Sequence, residues 1–428
     1  MSEPTPGAVT PSPGPPDKPA DGETPPGRGQ IIWDSVREGN SFTVTVLAIF
    51  TALVAGGLLN AFTNKNVLHA WGNLFSAPGH AFAQAWDTAV GAYVELFEGS
   101  IFNPHTVAAL FQQASFGTAV HDGYLSAVFN PLSETCVQAT PLILAGLAVA
   151  LPYQAGMFNI GAQGQFIGGA ILATYLGYGV SMPFGIHVIV CVIGGFVGGA
   201  AIGWIVGELK ARTGAHEVIV TIMLNFVVLA FLNWIIANHL HVPETLHTPE
   251  IHTGAIPRLS QFIPAFHGSA ANLTIVIALL AAFGAWFFLF RTRPGYELRA
   301  VGLQPDAAEY GGIRVGGVWF RALTLSGAIA GLGGINYVLG YKHYYEDGFA
   351  GGTGFLGIAV ALVGRNHPLG VVLAALFFAT LSQGGLAIHA FVPKQMVEVL
   401  QGVVIIAVAV SVPEVRRALR SARRPATA

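Results

Sequence analysis

Several runs of about 20 apolar residues with few or no charges constrain this chain more than any other feature it carries. At ~1.5 Å of rise per residue, a helix of ~20 residues crosses the ~30 Å hydrocarbon core of a bilayer. Inside lipid the backbone must satisfy its own hydrogen bonds, so such runs fold as helices. Candidate spans lie at 42–63, 134–152, 160–179, 184–207, 217–239, 272–290, 319–340, 354–364, 369–387 and 395–412. The eighth is too short to cross as a straight lipid-facing helix, and its glycines predict a broken helix buried in the bundle. The expected fold class is all-α: a polytopic membrane protein of about ten transmembrane helices surrounded by lipid. Composition agrees, with 10% charged and 53% hydrophobic residues and a mean hydropathy of +0.59, where soluble domains carry roughly 25% charged residues. A formal charge of -2 gives no reason to expect a nucleic-acid partner.

Charge placement predicts orientation. With both termini cytoplasmic, sixteen of the 20 Lys and Arg residues fall inside; Lys65, Arg258, Lys342 and Lys394 fall outside. That is the asymmetry of the positive-inside rule. Nine prolines among the first 30 residues, with almost no large apolar side chains, predict a disordered cytoplasmic tail over 1–41. The first apolar run is long enough to span, so no cleavable leader is expected. The membrane domain runs over 42–412, and a basic cytoplasmic tail follows over 413–428. Residues 64–133 form a predicted extracytoplasmic insertion. In it Phe82, Trp86, Ala89, Val90, Tyr93, Val94 and Phe97 recur at helical spacing, as in a helix at the outer interface or an ordinary packed helix. The 54 glycines concentrate in the apolar runs, where small residues let helices approach closely.

The chemistry-bearing residues are few. Cys136 and Cys191 both sit in apolar runs, and His239, His241, His247 and His252 lack metal-ligand spacing, so neither disulfide, metal nor cofactor is expected. The stretch 156–170, GMFNIGAQGQFIGGA, sets Asn159, Gln163 and Gln165 among glycines at the start of the third span. Buried amides need partners, which either a polar solute or neighbouring helices can supply. A second copy is suggested at 354–361, where Phe355, Gly357 and Ala359 align with Phe166, Gly168 and Ala170, each copy being followed by a P-x-G turn. The copies fall five spans apart and so run in opposite directions, a weak inverted repeat of broken helices that points to a transport site for a small-molecule solute.

The segment 295–313, GYELRAVGLQPDAAEYGGI, is charged and lies in a cytoplasmic loop (291–318) between two apolar runs, where Pro305 is placed to begin a short helix. The segment 208–217, ELKARTGAHE, is the other candidate for docking a soluble partner. No lysine follows a glycine, so the chain holds no G-K-[ST] phosphate loop.

Four motifs in order, GMFNIGAQGQFIGGA, EVIVTIMLNF (217–226), GYELRAVGLQPDAAEYGGI and GFLGIAVALVGRNHPLG (354–370), resemble the permease subunits of bacterial ATP-binding-cassette importers. The resemblance is to the nucleoside branch, related to simple-sugar and branched-chain amino acid permeases, and covers about residues 134–412. It implies a multi-pass protein of the bacterial cytoplasmic membrane that is not itself an enzyme. A cytoplasmic ABC ATPase would hydrolyse ATP, a second permease chain would complete the pore, and an extracytoplasmic solute-binding lipoprotein would deliver the solute. It further implies a path near Asn159, Gln163, Gln165 and Phe355, where Phe166 and Asn225 are also suitable residue types for a nucleoside. For the coupling loop, Glu297, Arg299 and Asp306 would orient the ATPase, and Ala300, Leu303 and Ala307 would offer it a small apolar face. Simple-sugar or branched-chain amino acid import is the alternative in the same class. A secondary transporter is disfavoured, because Glu134, Glu208, Glu217 and Glu398 all lie at or near span ends.

Overall fold

The computed structural model describes residues 50–387 and 397–406, except residues 52, 59, 63, 113–116, 118–119, 121–122, 244 and 246. The Pro-rich and basic tails, and parts of the first and tenth predicted spans, lie outside the described residues. What is described is almost wholly helical. No strand occurs among these residues, only isolated bridges between His247 and Glu346 and between Arg258 and Asn272.

In chain order the helices are α1 (Leu53–Phe62), α2 (Lys65–Gly72), α3 (Pro78–Ser100), α4 (Pro104–Phe111), α5 (Tyr124–Tyr153), α6 (Ala162–Gly179), α7 (Ile186–Thr213) and α8 (Glu217–Ile235). There follow α9 (Thr274–Arg291), α10 (Arg293–Leu303), α11 (Pro305–Tyr310), α12 (Val315–Ile335), α13 (Thr353–Val363) and α14 (Pro368–Ala387), and α15 (Val397–Ile406). Both α8 and α12 run on through a π-helical turn, to Leu240 and Tyr341. Among the described residues six helices are long and apolar enough to cross a membrane: α5, α7, α8, α9, α12 and α14. Shorter apolar helices are α1, α13 and α15.

One predicted boundary changes. Helix α5 begins at Tyr124, so the last ten residues of the predicted insertion 64–133 are the start of a 30-residue helix. Its Pro131, Pro141 and Pro152 stay inside the helix, as membrane helices allow when neighbours take up the freed carbonyls. Helix α3 is helical as its spacing predicts, and it packs against the bundle: the Tyr93 hydroxyl donates to Leu53 O at 2.6 Å. The backbone of Leu96 lies where a side chain on Gly384 of α14 would have to go. Phe82, Trp86 and Val94 of α3 stay exposed.

The core sits where α5, α6, α7 and α12 meet. Helix α6 is apolar on every side, and Gln165, Phe166, Ala170 and Thr174 are all buried. It can carry amides because other helices surround it. The closest approach is between α7 and α12. A Cβ on Gly199 would lie 2.7 Å from Gly331 Cα, so no larger residue fits that crossing. This small-residue contact packs the backbones directly, the usual means of helix association in lipid.

Candidate functional site

Two interrupted helices meet inside the bundle. After α5 the chain turns back through residues 154–161 before α6 begins, and α13 begins after the irregular segment 342–352. With only 11 residues, α13 is ~16 Å long, about half the hydrocarbon thickness. The two starts touch: Gln163 Oε1 accepts from Gly354 N at 2.8 Å. This satisfies one of the free N–H groups that every helix leaves at its N-terminus.

The predicted path residues divide by environment. Asn159 and Gln165 are fully buried. Asn159 Nδ2 donates to Gln165 Oε1 (2.8 Å) and Ser326 Oγ (2.7 Å), and its Oδ1 accepts from Gly161 N (2.9 Å). Ser326 Oγ in turn donates to Ala148 O, tying the turn to α5 and α12. Asn225 of α8 braces the same turn, donating to Ile160 O (2.9 Å) while accepting from Gly164 N (2.9 Å). These amides bind helix to helix in this conformation. Phe166 is buried and stacks on Phe349 with centroids 5.7 Å apart. Phe355, by contrast, opens into a cleft of about 640 Å³ between α5, α13, α14 and α15.

That cleft combines rings with polar groups. Tyr337, Phe349 and Phe355 line it, with Tyr337 and Phe349 centroids 4.8 Å apart. The π-helical turn at the end of α12 positions Tyr337, whose hydroxyl donates to Glu346 Oε1 at 2.8 Å. Gln138, Thr353 and Gln401 supply amides and a hydroxyl. Gln401 Nε2 donates to Ser382 Oγ at 2.9 Å.

Above the cleft, 241–271 is strapped to the 342–352 segment. Thr248 N donates to Tyr345 O (2.9 Å) and Ile251 N to His343 O (2.7 Å). His343 has a left-handed φ of 65°. Burial, and after it the Arg258 charge, pushes its ring below the ordinary histidine value. Glu134 accepts from Ser269 Oγ (2.9 Å) and Ala270 N (3.0 Å), anchoring this region to α5.

At the opposite end α10 and α11 form a bent pair. Thr292 caps α10, accepting from Gly295 N at 3.2 Å, and Pro305 opens α11 as predicted. Glu297 accepts from Arg321 (3.0 Å) and Arg293 (3.2 Å). The Arg321 hydrogen bond, more than the Arg293 charge, holds its carboxyl below the usual range. Arg299 lies over the Phe290 ring at 5.2 Å. Ala300 packs against the core, whereas Leu303, Asp306 and Ala307 are exposed. Tyr296 and Tyr310 are exposed beside them. The other docking candidate, 208–217, is tied down: Lys210 Nζ lies 2.8 Å from Glu217 and over the Trp319 ring, and Arg212 pairs with Glu208.

The family model described as branched-chain amino acid transport system / permease component matches residues 132–409. The chain belongs to this permease family. It is 39% identical over 305 residues to a guanosine ABC transporter permease protein of Bacillus subtilis (strain 168), covering 69% of this chain and 87% of the relative. It is 35% identical over 301 residues to a nucleoside ABC transporter permease protein of Lactococcus lactis subsp. cremoris (68% and 82% covered). Over 287 residues it is also 35% identical to a glucose ABC transporter permease protein of Haloferax volcanii (64% and 75% covered). No solved structure matches the chain.

Several functional candidates in this permease escape sequence reasoning. Gln138 and Gln401 each sit in an apolar helix with no motif around them, and only the fold brings them to Phe355. The signal available was a lone amide in a membrane span, which is costly unless it has a use. Tyr296 and Tyr310 lie within a motif already singled out, but their exposure depends on the bend between α9 and α10.

Proposed function

We propose that this permease is the membrane-spanning subunit of an ATP-binding-cassette importer for nucleosides. It crosses the membrane ten times with both termini in the cytoplasm, and α6 and α13 are the broken helices of an inverted repeat. The exposed face of α10 and α11 carries the reading. Leu303 is 86% exposed and Tyr310 95% exposed, beside Ala307, on a short helical pair outside the apolar bundle. Large apolar side chains left bare on a cytoplasmic loop suit a groove on a soluble partner. A chain with no phosphate loop needs such a partner to hydrolyse ATP. Glu297, Arg299 and Asp306 set the orientation of that ATPase, Leu303 and Ala307 contact it, and Ala300 seats the helix. A second permease chain completes the pore, and a solute-binding lipoprotein delivers nucleoside to the outer face.

The path runs past the joint of α6 and α13. Phe355 lines it, Gln163 holds the two helix starts together, and Asn159, Gln165, Asn225 and Phe166 fix the shape of the joint. Support for nucleosides comes from the Bacillus and Lactococcus relatives. The Haloferax relative favours a second reading, a sugar permease.

The test is uptake in cells lacking their own nucleoside importers. Expressed with its ATPase and lipoprotein, the permease should accumulate radiolabelled uridine or guanosine, and loss of the ATPase should abolish this. Accumulation of glucose without nucleoside, or uptake that persists without the ATPase, would reverse the conclusion.

A further inference from the structure

The cleft beside Phe355 holds more polar chemistry than packing requires. Gln138 and Thr353 line it, and their side chains have no hydrogen-bond partner among the described residues. Both are half-buried residues of its lining. An amide or hydroxyl left unpaired in a membrane domain is expensive unless water or a ligand completes it. The Gln401–Ser382 pair adds an amide whose oxygen is still open to a donor. Three rings, Tyr337, Phe349 and Phe355, line the same space. A volume of about 640 Å³ falls within the range of sites that enclose a small organic ligand.

We infer that this cleft is a nucleoside-binding station, in which the rings stack the base and Gln138, Thr353 and Gln401 bond the ribose hydroxyls. The inference rests on the nucleoside reading above and adds to it the place and the chemistry of recognition. A sugar alone engages the amides and forgoes the stacking of a base on an aromatic side chain. Asn159 and Asn225, two of the amides called for by sequence, spend their hydrogen bonds on the protein, and Gln165 accepts from Asn159 while its Nε2, sealed in the core, has no partner among the described residues. Gln138, Thr353 and Gln401, which line the cleft, lie instead on α5, α13 and α15.

The experiment is solute protection of an introduced thiol in the complete assembly in membrane vesicles. Thr353→Cys and Gln138→Cys are made separately, each with Cys136→Ala and Cys191→Ala. A small water-soluble thiol reagent is applied with and without uridine or ribose. Uridine at ten times its dissociation constant leaves about one site in eleven empty, so both thiols should react about tenfold more slowly. Ribose should leave the rates near the unprotected value. If uridine protects neither thiol while the parent vesicles accumulate it, the cleft is not the station and the nucleoside reading survives. If the vesicles accumulate ribose or glucose and never uridine, the nucleoside reading itself falls. Equal protection by ribose removes the role of the rings. A reagent that reaches neither thiol removes the cleft from any polar path.

Discussion

Replacing Gly302 with valine tests whether α10 transmits movement into the bundle. Gly302 rests on the turn that follows α5, and the fit leaves no room for a side chain. A Cβ would lie 2.8 Å from the carbonyl carbon of Gln154 and 3.1 Å from that of Ala155, and closer still to the Gln154 oxygen. All three are backbone atoms and cannot rotate away. Carbon atoms pack at about 3.5–4.0 Å, so α10 must withdraw by roughly 1 Å. Overfilling a packed contact typically costs about 1–3 kcal/mol. Spent against the seated position of α10, that shifts its equilibrium by about 5- to 150-fold. The exposed face at Leu303, Ala307 and Tyr310 is untouched, so the ATPase should still co-purify. Solute uptake and ATP hydrolysis measured on the same proteoliposomes should show solute moved per ATP falling by that factor. Gly284→Val is the control, because nothing lies within 4 Å of a Cβ at that position on α9. Full coupling in the Gly302→Val assembly would show that the contact with the turn carries no movement.

Three further outcomes follow from named contacts. Ala307→Arg puts a long charge on the exposed docking face and should release the ATPase during purification; intact co-purification with full coupled uptake would shift docking to 208–217. Asn159→Ala strands Gly161 N and breaks the links to Gln165 and Ser326, at a cost of about 1–3 kcal/mol for buried unpaired groups. The detergent-solubilised protein should unfold at lower temperature, and unchanged stability with lost uptake would contradict the bracing role. His343 titrates below its ordinary value of about 6.5, so the folded protein resists taking up that proton. The stability it supplies is full above that value and is lost as pH falls from there through the folded-state pKa. His343→Asn, which accepts the left-handed backbone, should flatten the loss of stability between about pH 7 and 5; an unchanged slope would assign the effect to another group.

The apolar runs were legible because spanning a bilayer imposes both length and composition. The shortness of the eighth run correctly marked α13, and Pro305 marked α11. The start of α5 was not legible: residues 124–133 are mixed in polarity and contain Pro131, which reads as a helix breaker unless the fold is known. Nor could sequence assign the amides. A lipid-facing surface is as apolar as a helix interior, so hydrophobic periodicity does not say which face of α5 or α15 looks inward. Asn159 stood out because glycines surround it, and those glycines mark the tight turn that uses its hydrogen bonds. Gln138 stood out in nothing, yet its amide lines the cleft without a hydrogen-bond partner among the described residues.

The contacts around Gln154 connect the exposed face of α10 and α11 to the cleft in few steps. Its backbone supports Gly302 of α10, and its side-chain Nε2 donates to Asn366 O at 2.9 Å in the turn between α13 and α14. The turn before α6 and the turn after α13 are therefore held together against the same helix. At the other end of α13, Gly354 is bonded to Gln163 at the start of α6. Helix α13 is thus fixed at both ends to the chain that follows α5, and Gly357 packs it on Ala145 between them. In the proposed cycle a displacement of α10 cannot be absorbed by one turn alone. It must carry α13 with it, and Phe355, one residue past Gly354, moves with the helix it belongs to.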